Sequence, residues 1–225
     1  MILPVIVALS VAFFATHILL SHGSIRQGLV DSLGLWPFRG LYSLISLATF
    51  GPAAVLWWNN RHLGPVLWEL PYWPERILAG LLTLFGFFLL FQLLAAPSPA
   101  SMLPAKLEAR GVLRITRHPM NMGLAAVALA HVLANGTLGD VAFWSSIAAV
   151  GLIGPYHMDS RLKKQRGAPF IEFCKTTSVM PFSAILGRRN RLAADELSLP
   201  LAILALIAWA TVVFFHGQFF GGAIY

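Results

Sequence analysis

The sequence predicts an all-α membrane protein: a polytopic bundle of about six transmembrane helices, with a cytoplasmic amphipathic helix after the fifth. Three observations carry that expectation. Hydrophobic residues make up 57% of the chain and charged residues only 11%, against about 25% charged in an ordinary globular protein. Mean hydropathy is +0.73. Several apolar runs also approach the roughly 20 residues that cross a bilayer as a helix.

The spans are expected at residues 2–24, 41–58, 77–96, 119–134, 138–156 and 199–216, within a single domain covering 1–225. The run Ile2 to Leu20 has no basic n-region and no clear cleavage site, so it reads as a retained helix rather than a signal peptide. The second loop, Asn59 to Glu75, concentrates Trp68, Pro71, Tyr72, Trp73 and Pro74, a composition suited to the headgroup zone. Pro97-Ser98-Pro99 stops the third helix. The fourth span opens at Arg117-His118-Pro119 and closes at a tight turn, Asn135-Gly136. A polar loop, 157–198, follows the fifth span, and Met158 to Cys174 is expected to lie along the cytoplasmic surface as an amphipathic helix.

Charge gives the orientation. Fourteen of the sixteen Lys and Arg fall in the first, third and fifth loops, leaving only Arg61 and Arg76 at the second. The positive-inside rule then puts those loops in the cytoplasm and both termini outside, in a bacterial inner membrane. The net charge of +7 is therefore a matter of topology and anionic lipid, not of nucleic acid. A single cysteine, Cys174, excludes an intramolecular disulfide and a multi-cysteine metal site, and reads as incidental.

Among the seven histidines no pair stands at i, i+4, the spacing at which one helix chelates a metal ion. Haem asks for something else: one or two axial ligands, which can come from separate helices. His17 and His131 are the best placed, with small residues Gly123, Val127 and Ala128 beside the second. On these boundaries the two rings differ in depth by about 6 Å. The alternative is that each histidine hydrogen-bonds across helices and binds nothing.

Arg114, Arg117 and His118 also carry two readings. Arg and His beside a helix-opening Pro suit the membrane surface, whereas two arginines converging on exposed amides at a helix N-terminus would hold an anion or a cofactor headgroup. Asp159 and Glu172 are expected to be surface charges paired with basic neighbours.

Three blocks, Trp36–Leu47 (WPFRGLYSLISL), Arg114–Gly123 (RITRHPMNMG) and Ala130–Gly136 (AHVLANG), make the chain resemble the NnrU family of membrane proteins. RITRHP together with Thr177–Phe182 (TSVMPF) resembles its ζ-carotene isomerase branch. That resemblance implies haem b, with His17 and His131 at the axial ligand positions, and an activity dependent on reduced haem. The reaction it implies turns the central cis double bond of a tri-cis carotene to trans. A hydrophobic polyene would then be the substrate, membrane lipid the surroundings, and an unidentified electron donor the partner. Plant isomerases of this kind carry a cysteine where this chain has Ala128. Other members of the family accompany denitrification and nitrogen-oxide metabolism. A second resemblance uses the same stretch: membrane methyltransferases that bind S-adenosylmethionine also carry Arg-His-Pro followed by Gly, matched here by Arg117, His118, Pro119 and Gly123. Their downstream acidic pair is replaced by Met158-Asp159.

Overall fold

The computed structural model describes residues 1–100 and 106–221. Part of the third loop and the last four residues lie outside these. The described residues fold into helices: α1 (Ile2–Ser21), α2 (Gly23–Leu33), α3 (Leu35–Asn59), α4 (Tyr72–Gln92), α5 (Val112–Ile115), α6 (Pro119–Ala134), α7 (Leu138–Arg166), α8 (Ala168–Thr176), α9 (Ser183–Leu186), α10 (Leu199–Phe214) and α11 (His216–Phe220), with a 3-10 turn at Ala194–Glu196.

Four helices, α1, α3, α4 and α7, are long and apolar enough to cross a membrane. The other two expected spans, α6 and α10, are apolar helices of 16 residues each. At 1.5 Å per residue they measure about 24 Å, shorter than a hydrocarbon core of about 30 Å. The molecule is thus a helical membrane bundle.

The helices pack in a row, α3–α1–α7–α6–α4–α10, with α3 also touching α7. Close approach in this row depends on missing side chains. A Cβ on Gly86 of α4 would lie 2.8 Å from the Gly123 carbonyl of α6, and one on Gly123 would lie 2.9 Å from the Gly86 carbonyl. Gly151 of α7 meets the Asn121 carbonyl of α6 at the same 2.8 Å. Lipid gives helices no hydrophobic reason to associate, so small residues that bring backbones together supply much of the packing.

Three boundaries depart from expectation. The first loop holds a helix, α2, packed on α3 and α7, and α3 starts at Leu35 rather than at 41. α7 runs 29 residues, through Pro155, so Met158–Arg166 prolongs a span instead of opening a separate surface helix. Lys163, Lys164 and Arg166 in its last turn suit the negative end of the helix dipole. The surface helix is the short α8, set off by Gly167 at φ +60°.

At one end of the bundle, the α3–α4 loop is laced to the α6–α7 turn. Leu67 N–H donates to the Gly136 carbonyl at 2.7 Å, and Leu138 and Gly139 N–H donate to Pro65 and Leu63 at 3.0 Å. At the opposite end, Thr177–Phe182 lies along the approach to α6. Arg117 N–H donates to the Ser178 carbonyl at 2.9 Å, and Thr116 Oγ1 donates to the Val179 carbonyl at 2.6 Å.

Candidate functional site

Two groups of predicted residues occupy opposite ends of α6. Arg114, Arg117 and His118 lie before its first turn, and His131 stands 13 residues beyond His118, about 20 Å along the axis.

The Arg-His-Pro entrance is closed on itself. Arg117 Nε donates to Asp159 Oδ2 at 2.8 Å, with Nη2 donating to the same oxygen. His118 faces the other oxygen, Oδ1, through Nε2 at 2.8 Å. An ionised carboxylate only accepts, so Nε2 carries the proton. Ser98 Oγ donates to the Arg117 carbonyl at 2.6 Å. Asp159 is 4% exposed and His118 2%, so the carboxylate expected on the surface is a buried hub. His118 Nδ1 is buried with no hydrogen-bond partner. Glu172, by contrast, pairs with Lys175 on the surface.

Arg114 has a separate carboxylate. Its Nε and Nη2 grip Glu196 at 2.8 and 2.7 Å, Nη1 reaches Asn190 Oδ1 at 2.7 Å, and Gly111 N–H donates to the same Glu196 at 2.8 Å. The guanidinium and that amide hold the Glu196 carboxyl down at about 2. The two arginines expected to converge on one anionic headgroup therefore each grip a protein carboxylate. Those carboxylates come from distant stretches of chain, which is why local sequence did not reveal them.

His131 lies three residues from the C-terminal end of α6. Its helix packs on α4 through Gly123 and on α7 through Ala125. Met120 and Leu124, on the same side of α6 as His131, are 47% and 45% exposed, and the His131 ring is half-buried. Its Nδ1 is 2.8 Å from the Val127 carbonyl, and a carbonyl accepts only. Nδ1 therefore carries the proton and Nε2 a lone pair, the arrangement that a backbone carbonyl behind the ring imposes on metal-ligating histidines. The ring stacks on Trp144 of α7 at 3.9 Å, and Trp144 Nε1 is buried with no acceptor.

His17 is on another side of the molecule. Its Nδ1 lies 3.3 Å from Ser46 Oγ, and its ring meets Phe13 and, edge-on, Tyr42. α7 stands between α1 and α6 in the row. Depth separates the two rings as well. His22 of the α1–α2 junction meets His157 of α7, so His17 is level with about residue 152, eight residues below Trp144. That is about 12 Å, twice the expected offset. The two histidines do not face each other. Instead, ring contacts run from His17 through Phe13, Phe50, Phe143 and Trp144 to His131.

As a single axial ligand of a haem, His131 fits: its tautomer and the orphaned Trp144 donor beside it suit a bound group. As its partner across one macrocycle, His17 does not fit. Among the described residues no cluster of three or more His, Cys, Asp or Glu is grouped to hold a metal ion.

A row of apolar helices, four of them long enough to cross a membrane, defines a helical membrane protein. More narrowly, the chain belongs to the NnrU family, described as NnrU protein, which matches residues 5–223. Among curated proteins it is similar to the chloroplastic 15-cis-zeta-carotene isomerase of Arabidopsis thaliana, 32% identical over 201 residues, which cover 85% of this chain and 54% of the relative. It is likewise similar to the chloroplastic 15-cis-zeta-carotene isomerase of Zea mays, 29% identical over 199 residues, covering 85% of this chain and 53% of the relative. The chain thus spans about half the length of these relatives. No solved structure matches it.

Sequence reasoning missed Asp159, Glu196 and Trp144 as site residues. Asp159 offered one signal: it is an acid beside an apolar run, in a chain with few acids.

Proposed function

We propose that this protein is a membrane cis–trans isomerase of a carotene-like polyene, with His131 as the axial ligand of a haem b. The names of its relatives support the reaction class. One structural observation supports the site: His131 is held by the Val127 carbonyl with Nε2 free of any other hydrogen bond. Such a haem would supply an iron able to lower the bond order of an adjacent conjugated bond without net redox change. The chain's own residues do the rest. Val127 fixes the imidazole tautomer, and Trp144 locks the ring plane. The open side of α6, with Met120 and Leu124, admits an apolar molecule from the lipid rather than from water. A reductant drawn from an electron donor belongs to this reading, as does an inner-membrane location with both termini outside, which the distribution of basic residues supports.

The test is spectroscopic first. Purified protein supplied with haem should show a reduced-minus-oxidised difference spectrum, and His131→Ala should lose it while His118→Ala keeps it. His17→Ala should also keep axial ligation. The haem-loaded wild type should then convert a 15-cis carotene to trans under reducing conditions. A colourless protein, or a spectrum unaffected by His131→Ala, would sink the assignment.

A further inference from the structure

At the C-terminal ends of α1 and α7, beside the start of α3, lies a cluster that neither the bundle nor the His131 site accounts for. His22 caps α2 and packs on His157 of α7, ring to ring at 5.5 Å. One turn further along each helix stand Arg26 and Arg161, so the two helices offer His–Arg pairs in register. Arg26 lies over the ring of Phe38 at 5.4 Å, which brings in its chain neighbour Arg39, itself over Trp36 at 4.9 Å. Three guanidiniums from α2, α3 and α7 thereby share one small region.

None of the three pairs with a carboxylate among the described residues. Arg26 is only 8% exposed. Burial and the neighbouring Arg39 charge both push its guanidinium below the usual arginine range. A buried, unpaired cation beside two others is costly unless an anion arrives. Elsewhere the chain provides such partners, Asp159 for Arg117 and Glu196 for Arg114. The surroundings say where the anion comes from. Trp36 is 70% exposed, and Leu33 and Leu35 are exposed beside it, the profile of a segment lying among lipid headgroups.

We propose that Arg26, Arg39 and Arg161 form a binding site for the phosphate of a net-anionic phospholipid headgroup. Guanidinium forks match phosphate oxygens two at a time, and the site's position at the bilayer surface delivers the phosphate attached to lipid. The inference stands apart from the isomerase reading and survives its failure.

The experiment is native mass spectrometry of detergent-purified full-length protein, titrated with phosphatidylglycerol or phosphatidylcholine. Wild type should retain phosphatidylglycerol and not phosphatidylcholine. Arg26→Gln with Arg161→Gln should cut retention by roughly tenfold or more, whereas Lys163→Gln with Lys164→Gln, which removes equal charge from exposed positions, should leave it unchanged. Equal loss in both double variants means diffuse attraction and overturns the site. Arg26→Lys with Arg161→Lys keeps charge without the fork, and it decides the matter should the Gln pair fail to fold. An intermediate loss supports the proposal, and wild-type retention overturns it. Displacement of the lipid by millimolar inorganic phosphate would reassign the site to a soluble anion and overturn the lipid assignment.

Discussion

Asp159 holds the entrance to α6 together by accepting from Arg117 and facing His118 at once. Removing one member of a buried ion pair leaves an uncompensated charge, at a cost of about 3–5 kcal/mol. Asp159→Asn should therefore lower thermal stability in detergent by an amount of that order, and His118→Ala by less, because it leaves the Arg117 pair in place. Equal melting of Asp159→Asn and wild type would show that the hub contributes little. At this scale the sequence was partly legible. Arg114, Arg117, His118 and His131 stood out because ionisable groups beside or inside apolar runs are rare. Their partners did not, since Asp159 is 42 residues from Arg117 and Glu196 is 82 from Arg114, and no local pattern links them. His17 and His131 looked like a pair for the same reason. Each is a histidine in an uncharged run, and nothing in the sequence says that α7 intervenes.

Elements are held together by small residues and by loops that fold back on them. Gly123→Val should force α4 and α6 apart, because the space a side chain would need is taken by the Gly86 carbonyl and Leu90. Overpacking of this kind costs about 1–3 kcal/mol, readable as a lowered melting temperature, while Gly28→Ala, at an open position, should not lower it. The α5 approach and the 3-10 turn before α10 are joined by Arg114 and Glu196, and here pH is the probe. Glu196 sits at about 2, below the usual glutamate 4.5, so its contribution to stability is complete above 4.5 and is lost as pH falls towards 2. In Glu196→Gln the acid-side slope of stability against pH should be shallower across that window. An unchanged slope would remove the pair from the account. The apolar spans were readable from composition and length. α2 was not, because its polar residues read as loop, and the run-on of α7 was hidden by the basic residues that end it.

For the whole molecule, the order of helices in the row was beyond the reach of sequence. Helices surrounded by lipid are apolar on every side, so no amphipathic stripe reports which neighbour each will meet. The basic residues of the first, third and fifth loops predict an orientation that labelling tests. With Cys174 replaced by Ser, Glu69→Cys should react with an impermeant maleimide on intact cells, and Arg166→Cys only after permeabilisation. The opposite pattern would invert the molecule. Between His17 and His131 the row places a file of ring contacts across α1, α3, α7 and α6.

The two short helices, α6 and α10, flank α4 at one side of the row, while the long α1, α3 and α7 fill the other. Each short helix measures about 24 Å against a hydrocarbon core of about 30 Å, while α4 between them runs 21 residues. Lipid beside α6 and α10 therefore meets a mismatch that α4 does not share, and local thinning or tilt absorbs it at a cost of fractions of a kcal/mol per Å.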